Sequence, residues 1–348
     1  MTEIDDLQHA GVFRPAGEPS LGWGVLGTGW IAEQFVAGTL RHTPQRIVAV
    51  GSRSAERSAA FAAQHGIERS HGSYSALIED PGVEALYVGV TAEAHKGLAL
   101  EAIAAGKPVL VEKPFALTAA EAAEVRDAAR SAGVLAMEAM WTRYLPQSDA
   151  IRLLLEQGAL GDIELVSADH GQAIAHDPAS RLLRPDLGGG ALLDLGVYPL
   201  ALASELLGTP VSVVAAGNVL ESGVDGTVAM LLSYDGSTAR ALLSTSISTR
   251  TPTEAVIAGT AARIELEGPF FVPTGFILAG PAFGEEPILR WRDQSGIAMH
   301  EGLSYQATAL ARFAGEGRTE SPLHGLDESV AILSTIEAVR AQLTPYAT

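Results

Sequence analysis

The chain has 348 residues, of which 47% are hydrophobic and 18% are charged, so it holds ample material for a buried core and is not a disordered protein. Its length predicts two domains. It carries 23 Lys and Arg against 41 Asp and Glu residues, a formal net charge of −18, and a field of that sign repels nucleic acids. The absence of cysteine excludes disulfide scaffolds, thiolate metal sites and cysteine nucleophiles.

The N-terminal segment, residues 1–20, is acidic and polar, with neither the basic start nor the apolar centre of a signal peptide. We interpret it as a loosely ordered leader. The most apolar stretch, residues 191–208, contains Asp194, Glu205 and Pro199, which argues against a membrane span. We therefore expect a soluble, cytoplasmic protein with no membrane partner.

Residues 21–140 alternate short apolar runs with alanine-rich stretches of helical spacing. The predicted strands are residues 24–26, 47–50, 85–90, 109–111 and 134–137, and the predicted helices are 54–65, 93–105 and 118–131. Thr118 followed by Glu121 is a capping-box signature. Strands that alternate with helices predict right-handed βαβ units, and hence a doubly wound parallel sheet of the Rossmann type.

Residues 141–348 have a different pattern. A helix is predicted over residues 146–157, followed by strand-like runs over 163–168, 211–219, 227–234, 238–248 and 254–267. Asp235-Gly236 marks a hairpin between two of them. We predict an α+β domain with an antiparallel sheet, covered on one face by helices at 305–314 and 327–343. With no long linker, the two domains should abut and form a cleft.

The first chemical motif is the segment GTGWIA, which follows an apolar strand and opens a helix. Gly27 permits a tight turn, Gly29 lets the backbone approach a pyrophosphate, and Ala32 allows close packing of helix on strand. The start of the helix then offers oriented amide groups to phosphates. An ordinary strand–helix turn is the alternative, which the position near the start of a βαβ array disfavours.

The end of the second predicted strand indicates which nucleotide binds. A site that prefers NAD places Asp or Glu there, whereas this chain has Ser52-Arg53, with Arg57 one turn into the next helix. A guanidinium suits a phosphate monoester. We therefore favour NADP, with NAD possible, unless both arginines are solvated surface charges.

The third motif, the segment AGKPVLVEKP, delivers Glu112 and Lys113 to the carboxyl end of a strand, where open α/β sheets bind ligands. Only three lysines occur against 20 arginines, so Lys113 is interpreted as a position that needs a compact ammonium. A strand-end salt bridge is the alternative.

The fourth motif is the segment GGGALLDLGVYP. In a helix that begins near Ala191, Asp194 and Tyr198 share one face and have apolar flanks. A buried carboxylate needs a partner or a ligand, while a buried tyrosine often serves only to hydrogen-bond the backbone. His95, in a strand-to-helix loop, is a candidate ligand contact. The spacing of the histidines predicts no metal site.

The order of GTGWIA, AGKPVLVEKP and GGGALLDLGVYPL resembles the Gfo/Idh/MocA family of nicotinamide-dependent oxidoreductases, from residue 21 onward. The segments MEAMWTRYLP and DLGVYP are most similar to the branch of dimeric dihydrodiol dehydrogenases and NADP-dependent D-xylose dehydrogenases. The resemblance implies a Rossmann domain and a C-terminal domain with a large open, mostly antiparallel sheet, often used for dimerisation. The chain departs from the family at Val90-Thr91, usually Thr-Pro, and at Gln306, usually glutamate.

The resemblance also implies site residues. Lys113 would be catalytic and contact the nicotinamide ribose, Tyr198 would be the acid/base, and Trp141 and Arg143 would lie near the nicotinamide and substrate, although interdomain packing is the alternative for these two. Asp194 would orient the substrate or the lysine. Together, the motifs and the resemblance predict these cofactor contacts: Gly27, Thr28, Gly29, Trp30, Ile31, Ser52, Arg53, Arg57, Val90, Thr91, His95, Glu112, Lys113, Trp141 and Arg143.

The resulting hypothesis is hydride transfer between nicotinamide and a secondary alcohol or hemiacetal carbon of a sugar, polyol or cyclic dihydrodiol. We expect a Rossmann domain over residues 21–140, a substrate and dimerisation domain over 141–348, and a homodimer. Two alternatives stay open. One is a non-catalytic NADP-binding redox sensor, which would not need Lys113, Asp194 and Tyr198 together. The other is an enzyme of the same fold that uses tightly bound NAD transiently.

Overall fold

The computed structural model describes Leu7, Phe13 and residues 16–174, 177 and 179–345. The chain forms two compact units. The first comprises Phe13–Tyr144 and Ile297–Val330, and the second comprises Leu145–Gly296 with the described residues of Met1–Val12 and Ala331–Thr348. Most of the predicted leader lies outside the described residues, and the domain boundaries at 20 and 140 stay a prediction.

The first unit contains the parallel sheet. Its strands are β1 (Gly22–Leu26), β2 (Arg46–Gly51), β3 (Arg69–His71), β4 (Ala85–Val88), β5 (Val109–Val111) and β6 (Ala136–Glu138). Its helices before residue 145 are α1 (Trp30–His42), α2 (Ala55–His65), α3 (Tyr74–Ile78), α4 (His95–Ala104) and α5 (Ala119–Ala132). The strand order is β3-β2-β1-β4-β5-β6, with every pairing parallel. This order reverses direction at β1, which confirms the predicted doubly wound Rossmann-type sheet.

Local signals in the sequence account for the helix starts. The Thr118 hydroxyl accepts a hydrogen bond from the Glu121 amide at 3.1 Å, and the Glu121 carboxylate accepts one from the Leu117 amide at 3.1 Å. Ser54 caps α2 in the same way through the Arg57 amide. β3, a three-residue edge strand of polar residues, is an element that the apolar pattern did not predict.

The second unit contains the other sheet. Its helices are α6 (Pro146–Glu156) and α7 (Val197–Leu207), and its strands are β7 (Ile163–Gly171), β8 (Ser212–Val219), β9 (Asp225–Ser233), β10 (Arg240–Ser246), β11 (Ala255–Gly259), β12 (Arg263–Leu266), β13 (Gly275–Ala279), β14 (Leu289–Arg292) and β15 (Thr344–Pro345). Over the described residues the order is β14-β13-β12-β11-β7-β10-β9-β8-β15. The predicted large, mostly antiparallel sheet is confirmed.

The sheet departs from the prediction in two places. The single run predicted over 254–267 is two strands, β11 and β12, because the chain turns at Thr260-Ala261. β10 also pairs with β7 in parallel, because the chain crosses through α7 and two hairpins before β10 lies beside β7. Short-range hairpin signals do not predict that long-range pairing.

The two closing helices are α8 (Leu303–Gly315) and α9 (Leu326–Arg340). The prediction that both cover the antiparallel sheet is wrong for α8, which packs on α1 in the first unit. The backbone just before α8 lies close to α1 at Gly38, where an added Cβ would lie 3.0 Å from the Glu301 carbonyl oxygen. A small residue on α1 thus sets the contact with the chain that leads into α8.

One helical segment, Pro185–Leu207, is long and apolar enough to cross a membrane by length and composition, and 67% of its most apolar window is buried. That degree of burial is typical of a core helix. Here the segment packs on β7 and β10 of the antiparallel sheet.

Candidate active site

The glycine turn after β1 brings together the first five predicted cofactor residues. Gly27 has φ +113°, and a Cβ there would lie 2.4 Å from the Gly89 carbonyl oxygen, so only glycine fits. Gly29 caps α1, and a Cβ at that position would meet nothing within 4 Å. The first amides of a 13-residue helix therefore border open space, which suits a phosphate. Thr28 and Ile31 are half-buried beside them, and Trp30 is 59% exposed.

The end of β2 presents two arginines. Ser52 is buried, and its hydroxyl donates to the Ser54 carbonyl oxygen at 2.7 Å. Arg53 and Arg57 are exposed, and neither guanidinium has an ion-pair partner among the described residues. Both cations are therefore available to an anionic group, and neither is engaged in a described structural salt bridge.

The carboxyl end of β5 carries Glu112 and Lys113. Glu112 is buried and accepts a hydrogen bond from the Tyr87 hydroxyl at 2.7 Å. Burial raises the pKa of Glu112 to about 7, since the contacts with Tyr87 and Lys113 offset only part of the desolvation. Lys113 is half-buried, so its ammonium is the more accessible member of the pair.

His95 joins two loops at this edge of the sheet. It is buried, with Nδ1 2.8 Å from the Pro114 carbonyl oxygen and Nε2 3.2 Å from that of Val90. Burial lowers the pKa of His95, although both carbonyl contacts oppose the shift. His95 therefore connects the loop that bears Val90 and Thr91 to the loop that bears Lys113, and its contact with a cofactor stays a prediction.

The two predicted residues after β6 differ in their surroundings. Trp141 is buried, and its ring stacks on that of His300 with centroids 5.6 Å apart. Arg143 is 2% exposed and forms an ion pair with Glu328. A direct contact between Arg143 and the cofactor or substrate stays a prediction, while its pairing with Glu328 gives it a structural role.

A buried ionic network lies behind the Lys113 loop. The Glu138 carboxylate accepts from the Phe115 amide at 3.0 Å and pairs with His324 Nε2 at 2.9 Å. His324 Nδ1 lies 3.2 Å from Glu328, which also pairs with Arg143. The backbone just after Lys113 is thereby connected to α9.

In the second unit, the segment that carries Asp194 begins at a fixed backbone. Gly190 has φ +109°, and a Cβ there would lie 2.5 Å from the Asp225 carboxylate. Asp225 accepts from the Leu192 amide at 2.6 Å and from Arg340 at 2.9 Å. The chain then forms a π-helix over Leu192–Gly196 before α7, where a regular α-helix was predicted. Such wide turns are frequent at functional sites.

Asp194 and Tyr198 are both buried, at 8% and 7% exposure. Asp194 Oδ1 accepts from the Arg181 guanidinium at 2.8 Å. The Tyr198 ring stacks on Phe271 with centroids 5.0 Å apart and lies 5.4 Å from the His170 ring. Asp194 thus has the charged partner that its burial required.

The predicted site residues omitted Arg181, His170 and Phe271. All three residues lie outside the sequence motifs, so no local pattern indicated them. His170 and Phe271 stack with centroids 4.5 Å apart. Within the described part of the chain, no group of three or more His, Asp or Glu side chains could hold a metal ion.

The first unit fits a dinucleotide by its own chemistry. The turn after β1 has no room for a Cβ at Gly27, whereas a Cβ at Gly29, at the start of α1, would meet open space. Two exposed arginines without an ion-pair partner among the described residues, Arg53 and Arg57, follow β2. These are the features that pyrophosphate and ribose recognition require in this fold.

Comparison with known proteins agrees with that geometry. A profile of the GFO/IDH/MocA oxidoreductases with an NAD-binding Rossmann fold matches residues 21–140, and one of the family's C-terminal domain matches residues 149–265. The chain belongs to the GFO/IDH/MocA family. It is therefore an oxidoreductase with a nicotinamide-dinucleotide domain, and the predicted family is confirmed.

Named relatives span nearly the whole chain. A trans-1,2-dihydrobenzene-1,2-diol dehydrogenase of Homo sapiens is 35% identical over 325 residues, 92% of this chain and 96% of that protein. The Xenopus laevis protein of the same name is 34% identical over 325 residues, 92% of this chain and 97% of its own. The shared length covers both units.

Solved structures share the fold. A 3-ketoreductase from Actinomadura kijaniata, in complex with NADP and TDP-benzene, has a TM-score of 0.81 at 25% identity and covers 94% of this chain and 99% of its own. An aldose-aldose oxidoreductase from Caulobacter crescentus, complexed with glycerol, has a TM-score of 0.80 at 26% identity and covers 93% of this chain and 97% of its own.

The network behind Lys113 predicts a pH-dependent stability. Burial opposes the charged form of His324, but the pairing with the Glu138 and Glu328 carboxylates outweighs it and raises the pKa of His324. A histidine whose folded pKa exceeds the unfolded value contributes stability below about pH 6.5, and that contribution is lost as pH rises through the raised pKa. His324→Gln should lower the free energy of unfolding at pH 6 by on the order of 3 kcal/mol, because two carboxylates lose their buried cation.

Urea unfolding from pH 5.5 to 8.5 measures this effect. The deficit of His324→Gln should shrink with rising pH, while His65→Gln, a substitution outside the network, should follow the wild-type profile. A deficit that stays constant across the range would contradict the protonated state assigned to His324.

Proposed function

We propose that the protein is an NADP-dependent dehydrogenase that acts on a secondary alcohol or hemiacetal carbon of a sugar, polyol or cyclic dihydrodiol. The observation that carries the proposal is the family's dinucleotide site in a chain that keeps Lys113, Asp194 and Tyr198. The relatives named as dihydrodiol dehydrogenases, at about 35% identity over 92% of the chain, support the substrate class. The burial of the most apolar helix is compatible with the proposed cytoplasmic location.

NADP would be held by the glycine turn and by the end of β2. The amides that follow Gly29 would bind the pyrophosphate, and Arg53 and Arg57 would pair with the 2′-phosphate, which carries the negative charge that NAD lacks. Bound NADP supplies or accepts the hydride. The protein supplies orientation, charge and proton transfer.

Tyr198 would exchange the proton of the substrate hydroxyl. A free tyrosine has a pKa near 10 and is a poor base at neutral pH, so the mechanism needs a cation that favours the phenolate. Lys113 would provide that cation and also contact the nicotinamide ribose. The stacking of Tyr198 on Phe271 fixes the plane of the phenol ring.

Asp194 would orient the substrate or the lysine. Its carboxylate already accepts a hydrogen bond from Arg181 at 2.8 Å, and the Arg181 side chain is 47% exposed. A carboxylate has four lone-pair directions, and in the proposed complex Asp194 would also accept a hydrogen bond from a substrate hydroxyl. The positive charge of Arg181 would stay paired with Asp194 in that complex.

We also propose a two-fold homodimer formed through the sheet of the second unit. Val214, Leu231 and Leu242 lie in register across β8, β9 and β10, and their exposed fractions are 65%, 37% and 47%. A row of exposed aliphatic side chains across three neighbouring strands is the kind of surface that an isologous interface buries.

The first prediction from the proposed function is that NADP binds at least tenfold more tightly than NAD, a difference of about 1.4 kcal/mol. Arg53→Ala and Arg57→Ala should each weaken NADP more than NAD, and Ser52→Asp should erode the preference by repelling the 2′-phosphate. Arg46→Ala, at the opposite end of β2, is the control and should change neither affinity. Calorimetric titration with both nucleotides measures the effect, and equal wild-type affinities would refute it.

The second prediction tests Tyr198 as the acid/base. Tyr198→Phe keeps the ring but removes the hydroxyl, so turnover should fall by about 10²–10⁴-fold while NADP affinity stays nearly intact. Lys113→Met should lower turnover similarly and also weaken NADP binding. The wild-type rate of oxidation should depend on an ionisation below the free tyrosine value, which Tyr198→Phe should abolish.

Tyr234→Phe is a matched control for that experiment. Tyr234 lies in the same unit, is equally buried at 7%, and its hydroxyl has no hydrogen-bond partner among the described residues. Its substitution should leave turnover unchanged. A Tyr198→Phe protein with half the wild-type rate would defeat the assignment, and the proton would then pass through Asp194, His95 or water.

The third prediction concerns the dimer. Leu242→Lys places a charge at one end of the exposed row, beside Leu231, and should convert the dimer to a monomer at micromolar concentration. Leu40→Lys changes an equally exposed leucine of α1, at 45% exposure, and should leave the mass unchanged. Light scattering distinguishes the two results. A monomeric wild type would contradict the proposed interface.

A further inference from the structure

A histidine that no sequence motif indicated lies between two tryptophans of the first unit. The His300 ring centroid is 4.7 Å from that of Trp30, in an edge-to-face arrangement, and 5.6 Å from that of Trp141, with the rings inclined by only 20°. Trp30 directly follows Gly29 at the start of α1 and is 59% exposed. The imidazole therefore contacts the first residue of α1, next to the glycine whose added Cβ would meet open space.

The turn that carries His300 is fixed at both sides. Met299 adopts φ +50°, a left-handed conformation that is unusual for a side chain of its size. Glu301 pairs with Arg41 at 2.6 Å and with His42 at 3.3 Å, both near the end of α1. A backbone outlier held by neighbouring contacts is typical of functional positions.

Gly38 adds a third constraint. Its lack of a Cβ lets the Glu301 backbone approach α1, since a Cβ there would lie 3.0 Å from the Glu301 oxygen. One helix thus supplies the anchor for the Met299–Gly302 turn and, at its other end, the amides of the phosphate site. The position of His300 relative to that site is set by the rigid length of α1.

The electrostatics favour a neutral ring. His300 is half-buried, and burial lowers its pKa, with a further contribution from the positive charge of Lys113. The charge that acts on the imidazole is that of Lys113, which lies in the same unit. The imidazole contacts Trp30, which follows the proposed phosphate-binding turn. It also lies in the electric field of Lys113, the residue proposed to contact the nicotinamide ribose.

We propose that His300 is a positioning residue for the dinucleotide, whose flat ring, fixed by Trp30 and Trp141, forms a wall of the site between the start of α1 and Lys113. The proposal rests on the proposed function, because it assigns the nicotinamide ribose of NADP to the space between the start of α1 and Lys113. Glu301 acts through His300, by anchoring the turn to Arg41 and His42.

Binding of NADP to the protein without substrate tests the proposal. His300→Ala should weaken NADP about tenfold, the loss expected for one well-packed ring contact with its polar edge. His300→Phe, which keeps a flat ring between the tryptophans, should stay within about threefold of wild type. His65→Ala removes an equivalent contact, that of His65 with Phe61 at 4.4 Å, and should leave the affinity unchanged.

A second measurement distinguishes positioning from a general structural role. His300→Ala should raise KM for NADP while kcat stays within about twofold and the unfolding midpoint without cofactor stays at the wild-type value. Glu301→Gln should also weaken NADP in the wild-type background but have no further effect in the His300→Ala background, because coupled residues are not additive.

The outcomes separate the two claims. A wild type that binds neither NADP nor NAD overturns the proposed function itself. A wild type that binds NADP, with His300→Ala at wild-type affinity or with Glu301→Gln fully additive, overturns only the role of His300. A lowered unfolding midpoint without any change in affinity would make His300 a packing residue.

Discussion

The first unit depends on the burial of one carboxylate, that of Glu138 at the end of β6. A charge taken out of water needs compensating partners, and Glu138 finds them in the Phe115 amide and in His324, which lies 186 residues later in the chain. That pairing attaches the segment Ile297–Val330 to the parallel sheet, so that Lys113, Trp141 and His300 belong to one compact unit. The loop that bears Lys113 is thus connected to the segment that carries the His300 turn.

The second unit meets the same physical constraint with a different result. Asp194 is buried but is paired with a half-exposed arginine, Arg181, so its charged partner reaches solvent. Tyr198 packs on Phe271 and near His170, which fixes the ring. The interior thus holds a carboxylate and a phenol in defined positions, the groups that proton transfer and hydroxyl recognition require.

Much of this architecture could be predicted from short-range signals. The capping pair at Thr118 and the glycine turn at Gly27 are signals that the local sequence carries. The alternation of apolar runs with helical stretches is local as well, and it predicted the doubly wound sheet correctly. Other features depend on contacts between distant segments. The parallel pairing of β7 with β10 and the packing of α8 on α1 leave no local signature. The site of His300 could not be predicted for the same reason, since both tryptophans that its ring contacts lie far away in sequence.

We propose that this chain oxidises a CH–OH group with NADP as the hydride acceptor. A panel of aldoses, polyols and cyclic dihydrodiols tests that proposal most directly. NADPH absorbance would be followed for each compound with the purified wild-type protein. We predict NADPH formation with at least one member of the panel, at a higher rate than NADH formation when NAD replaces NADP. Tightly bound NAD that co-purifies with the protein, with no net cofactor reduction on any compound, would contradict it.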